Sequence, residues 1–152
     1  MIPVLITVGV IAVDQITKVL IRANFTLGES LPVIGDFVRL RYIRNTGTAF
    51  SMFENNLWIT LGLTTVLIVV CLLFLIHELK HGSKALAYCV TAIMAGGLSN
   101  IIDRVSLGYV TDMISVGNFA IITVADIAVC CGCGLCILIL LMQMKEEKNN
   151  ER

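Results

Sequence analysis

Three stretches of this chain, residues 55–77, 85–102 and 127–144, contain no Asp, Glu, Lys or Arg. A bilayer core is crossed by about 20 mainly apolar residues in helical form, because nothing inside it can satisfy an open backbone. Each run has about that length. A fourth apolar run begins at Ile2 and carries Asp14 and Lys18 within it. No basic residue precedes this run and no A-x-A-like site follows it, so it reads as a retained span rather than a removed signal. Spans are expected at about residues 2–22, 57–76, 85–103 and 123–143. They belong to a single integral membrane domain covering 1–152, with outer connections at 23–56 and 104–122.

Composition agrees with this reading. Apolar residues make up 57% of the chain and charged residues 14%, against about 25% charged in an ordinary soluble domain. Too few charges remain to cover a water-soluble globule. The 11 basic and 11 acidic residues cancel. That lacks the basic surplus of a nucleic-acid binder, and the hydrophobicity excludes a disordered chain.

Four spans put both termini and the 77–84 loop on one side. Basic residues are balanced across the membrane: Lys80, Lys84, Lys145, Lys148 and Arg152 against Arg22, Arg39, Arg41, Arg44 and Arg104. Their density in the short loop and tail favours cytoplasmic termini.

The six cysteines lie in apolar runs, unlike the framework of a small secreted domain. CCGCGLC (130–136) contains a C-x-x-C-x-x-C spacing, but the fourth Cys and following Pro of an iron–sulfur run are absent. Ala128, Gly132 and Cys136 instead recur every four residues, as small residues do where membrane helices pack closely. Ala92 and Gly96 repeat the pattern. His77 and His81 have a possible metal-ligand spacing, but they sit in a short Lys-containing loop and read as solvated. No metal site is assigned. No G-x-S-x-G, Walker or H-E-x-x-H pattern is present.

The connections carry strand signals. FVRLRYIR (37–44), after the Gly35-Asp36 turn, predicts a short strand. YVTDMISV (109–116) and FAIITV (119–124), separated by Gly117-Asn118, predict a hairpin; one irregular re-entrant loop is the alternative. The tail KEEKNNER (145–152) reads as a short, frayed polar end.

Intramembrane acids cost about 2.5 to 3.5 kcal/mol at the bilayer centre on insertion scales, so each calls for a reason. Asp14 and Lys18 are spaced i, i+4 with the acid first, the favourable orientation for a pair. This pair reads as ordering the bundle. Asn100, Asp103 and Arg104 share a helical face; it either grips a peptide backbone or ties down the outer loops. Asp112 and Asp126 have no local cation, and the hairpin between them returns the chain. Two carboxyls in one desolvated site hold a single proton between them. Such a pair supplies a base to activate water and an acid to protonate a leaving group. The alternative is two separate interfacial acids.

Taken together, these segments resemble lipoprotein signal peptidase, the bacterial signal peptidase II family. The resemblance rests on DQITK (14–18), NTGTAF (45–50), GGLSNIIDR (96–104), VTDMI (110–114) and VADIA (124–128), in this order among four spans. It implies an aspartyl endopeptidase of the cytoplasmic membrane that cleaves the signal peptide from a prolipoprotein whose lipobox Cys carries diacylglycerol. By resemblance, Asp112 and Asp126 are the catalytic pair. Asn45, Asn100 and Arg104 bind or order the substrate backbone, and Asp14, Lys18 and Asp103 support the site. The family fold is a membrane all-α bundle of four transmembrane helices with a small extracytoplasmic β-cradle and cytoplasmic termini. No cofactor and no nucleic acid is implied; the expected partners are the lipid-modified prolipoprotein and membrane lipids, and the expected state is a monomer. The last motif departs from the usual Phe-Asn-x-Ala-Asp-Ser: Thr123 stands at the Asn position, as a further supporting residue, and Ile127 at the Ser. Ser99 stands where Gly is common and Thr48 where Ala is common. The departures at Thr123 and Ile127 keep open a catalytically weak homologue acting as an accessory protein. A small transporter or proton-relay subunit is the third reading, and it requires acids strung across the bilayer.

Overall fold

The computed structural model describes residues 1–47, 56–117 and 119–150, apart from the side chain of His81. Its order is α1 (Ile2–Asn24), β1 (Ser30–Ile34), β2 (Val38–Asn45), α2 (Leu57–His81), α3 (Lys84–Leu107), β3 (Val110–Val116), β4 (Ala120–Ile122) and α4 (Val124–Asn150). All four helices are long and apolar enough to cross a membrane. The expected fold class, four such helices with a small antiparallel sheet, is the one observed.

The helices have ordinary local causes. Pro3 sits in the first turn of α1, where its missing N–H is no loss. Asn56 caps α2, its Oδ1 accepting from Ile59 N at 3.2 Å. Gly108 ends α3 in the left-handed conformation, with φ of 80°. Two elements outrun their expected ends. The expected 77–84 loop shrinks to Gly82 and Ser83, and α4 continues through the polar tail to Asn150. Lys, Glu, Gln and Met are good helix formers, so each helix continues past its apolar stretch.

α3 is the central helix, packed against α1, α2 and α4. The small-residue reading holds where it meets α4. A Cβ on Gly96 would lie 2.5 Å from the Ala125 carbonyl oxygen, and one on Gly132 would lie 2.9 Å from that of Cys89. Leu75, Ala87 and Val90 form a core that Cys71, Met94 and Cys136 complete. Val66, Val70 and Leu73 on α2, and Leu135, Leu138 and Leu141 on α4, point outward. Apolar outer faces suit lipid, as in a helix hydrophobic all round.

The sheet runs β1-β2-β3-β4, every pair antiparallel. The hairpin expected between 109 and 124 is present as β3 and β4; its Asn118 lies outside the described residues. The single strand expected at 37–44 has an unexpected partner in β1. Pro32 argues against a strand in general, but β1 is an edge strand, where a missing N–H is tolerated. Ile21, Tyr42 and Met113 form a second core that seats the sheet on the end of α1.

Candidate active site

Asp112 lies in β3, and Asn45 stands opposite Val110 in β2. Residues two apart on a strand share a face, so Asn45 is a diagonal neighbour of Asp112. Its Nδ2 donates to Asp112 Oδ2 at 2.9 Å, while its own Oδ1 accepts from Gly47 N at 2.9 Å. Asp112 is only 5% exposed. Burial pushes its carboxyl up to about 7. The Asp126 charge adds to the rise, whereas the Asn45 bond and the Lys18 and Arg104 charges oppose it.

Asp126 stands in the first turn of α4. Its Oδ2 accepts from Thr123 N at 2.8 Å, and Thr123 Oγ1 accepts in return from Asp126 N at 3.0 Å. This reciprocal pair is a capping box with Asp at its third position. A hydroxyl at 123 therefore supports Asp126 despite the departure from the family motif. The [ST]-x-x-[DE] spacing was the sequence signal for it. Asp126 Oδ1 accepts from Asn100 Nδ2 at 3.1 Å.

Beneath the two aspartates lies a buried ionic group. Lys18 is fully buried, 2.6 Å from Asp14 Oδ2 and 3.1 Å from Asp103 Oδ2, and it donates to Asn100 Oδ1 at 2.9 Å. Asp103 thus pairs with a lysine on another helix rather than with Arg104. Ser99 Oγ donates to Asp14 Oδ2 at 2.7 Å, so Ser at this position adds a bond that Gly lacks. Gln15 went unremarked within its motif. Its Nε2 donates to Ser99 and to Asp103 Oδ1 at 2.9 Å, and a Gln inside an apolar span was the available signal.

Arg104 Nη2 donates to the Gly47 carbonyl at 3.0 Å, holding the connection that follows β2. Arg104 Nε is buried and has no partner among the described residues. Residues 48–50 of the NTGTAF segment lie outside the described residues.

The arrangement joins two carboxyls at one end of the bundle, each held by an asparagine amide, with a guanidinium beside them. One carboxyl keeps its proton to near neutrality. Such a site can take a proton from water and deliver one to a leaving group.

Comparison with known proteins shows what the chain is similar to. A family model described as "Signal peptidase (SPase) II" matches residues 6–142. A lipoprotein signal peptidase of Streptococcus agalactiae serotype Ia is 39% identical over 147 residues, covering 95% of this chain and 93% of its own. Those of Shouchella clausii and Moorella thermoacetica are each 35% identical, over 144 and 140 residues. They cover 94% and 92% of this chain, and 95% and 90% of their own lengths. Two solved bacterial membrane enzymes superpose with TM-scores of 0.87 and 0.80, both at 29% identity. They cover 95% and 91% of this chain, and 90% and 92% of theirs. The chain belongs to the signal peptidase II family.

Proposed function

We propose that this protein is a membrane aspartyl endopeptidase that removes the signal peptide from diacylglyceryl-modified prolipoproteins at the lipobox cysteine. The observation that carries this reading is that Asp112, whose carboxyl burial pushes up to about 7, feels the charge of Asp126, which accepts two N–H donors. Asp126 is the base and Asp112 the acid. Asp126 takes a proton from the attacking water as its oxygen adds to the scissile carbonyl. Asp112 gives its proton to the carbonyl oxygen. Collapse of the tetrahedral gem-diol breaks the C–N bond; the amine leaves with the proton held by Asp126, and a hydroxyl of the gem-diol returns its proton to Asp112 as the new carboxyl forms. Asn45 and Asn100 orient the carboxyls, and Arg104 with Asn100 orders the substrate backbone.

The chain acts as a single-domain monomer with both termini in the cytoplasm and the site at the extracytoplasmic face. There it meets water and a lipid-anchored substrate together. Asp14, Asp103 and Asp126 are linked through Lys18 and Asn100 at one end of the bundle, which disfavours a proton path strung across the bilayer.

The test is cleavage of a diacylglyceryl-modified prolipoprotein by purified wild type, Asp112→Asn and Asp126→Asn in detergent or lipid. Cleavage by wild type alone, with both variants folded, is expected. Cleavage that persists in either variant removes the dyad, and no wild-type cleavage favours the accessory-protein reading.

A further inference from the structure

The two acids that flank Lys18 have free lone pairs, and those reach a backbone rather than another side chain. Asp14 Oδ1 accepts from Ala125 N at 2.8 Å, and Asp103 Oδ2 accepts from Thr111 N at 3.1 Å. Ala125 immediately precedes Asp126, and Thr111 immediately precedes Asp112. One buried ionic group therefore grips the chain one residue before each aspartate of the pair. Asp14 and Asp103 are 0% and 1% exposed, so water does not compete for these bonds.

We infer that Asp14 and Asp103 are positioning residues that together set the separation and aim of Asp112 and Asp126, with Lys18 as the cation that joins them. This inference rests on the dyad reading above. β4, paired with β3, already leads into α4; the ionic group adds a second tie next to the aspartates themselves. Here β3 hangs from α3 through Asp103, α4 hangs from α1 through Asp14, and Lys18 joins the two anchors. An ionised acceptor makes a shorter and stronger bond to N–H than a neutral one. Removing the cation leaves two buried acids without their shared partner, which loosens both anchors. The consequence for rate is large, because a displacement of about 1 Å at reacting groups costs about 100-fold.

The experiment compares truncation with isosteric replacement. Asp14→Ala and Asp103→Ala remove the acceptor oxygen; Asp14→Asn and Asp103→Asn keep one. Cleavage kinetics are measured on the diacylglyceryl prolipoprotein, with thermal unfolding in detergent as the folding control. The Ala variants are expected to lose about 100-fold in kcat with KM within about threefold of wild type, as displaced reacting groups would. The Asn variants are expected to stay within about tenfold of wild type, since their remaining oxygen still accepts the N–H. Folded Ala variants with wild-type kcat overturn the inference, and so do Asn variants that fall as far as the Ala ones. If the Ala variants do not fold, the Asn pair decides alone: retained cleavage supports the anchors and a loss of about 100-fold overturns them. Lys18→Met is expected to lower kcat, and adding Asp14→Asn, which removes the facing charge, to recover at least about tenfold; no recovery overturns the part given to the cation. Asp112→Asn and Asp126→Asn are run alongside. Cleavage surviving in either sinks the dyad itself, whereas loss there with unaffected Asp14→Ala and Asp103→Ala sinks only the positioning role.

Discussion

Asn100 donates its Nδ2 to Asp126 Oδ1 at 3.1 Å, and its amide has no freedom to turn round. Its Oδ1 already accepts from Lys18, an ammonium that can only donate. The α1 lysine thereby decides which end of the Asn100 amide meets the α4 aspartate. Asn100→Ala removes that donor and is expected to lower kcat about 10- to 100-fold, in line with loss of one preorganised donor. Asn100→Asp sets a second carboxylate against Asp126 and is expected to do worse. Steady-state cleavage, with circular dichroism as the folding control, checks both.

The pH dependence follows from Asp112. Its carboxyl lies at about 7 in the folded protein, against about 3.9 for an ordinary aspartate. A raised carboxyl favours folding while it holds its proton. Its contribution to stability is full below about pH 4 and is lost as pH rises toward about 7. The unfolding midpoint of wild type is therefore expected to fall across that window, and Asp112→Asn to flatten the fall. A slope unchanged in Asp112→Asn contradicts this. Activity should decline above about pH 7, where the dyad loses its shared proton.

Thr123 caps α4 and holds Asp126 by the same reciprocal pair. Thr123→Ala is expected to cost about 1 kcal/mol of stability, as other lost caps do, and to reduce kcat. Thr123→Asn, the residue usual in the family motif, keeps an acceptor for the helix and should leave both near wild type. A large gain in cleavage from Thr123→Asn together with Ile127→Ser would instead favour the weak-homologue reading.

Gly96 sets α3 directly against the first turns of α4, beside Asp126. Its added Cβ would meet a backbone oxygen 2.5 Å away and Val129 Cγ2 at 2.7 Å. Gly96→Ala must push the helices apart and is expected to destabilise by about 1 to 3 kcal/mol. It should also depress cleavage, because Ala125 adjoins Asp126. Gly134 has nothing within 4 Å, so Gly134→Ala should leave unfolding and activity unchanged. Thermal unfolding of the two variants side by side decides this.

The amino-acid sequence by itself determined the four helices, because a bilayer admits only long apolar segments whose backbone is satisfied internally. It also located β2, the β3–β4 hairpin and the acids from short-range alternation and turn chemistry. β1 escaped, since Pro32 is tolerated only once the strand is known to lie at an edge. What only the tertiary structure decided was who meets whom. Lys18 joins Asp103 across 85 positions, Asp14 reaches Ala125 N across 111, and Gln15 reaches Asp103 across 88. Helices that are apolar on every side carry little periodic signal for which face turns inward. The partners of a buried charge are therefore settled by how α1 packs against α3 and α4. Burial, likewise a property of the assembled bundle and sheet, is what lifts the Asp112 carboxyl into the range where it can hold a proton at neutral pH.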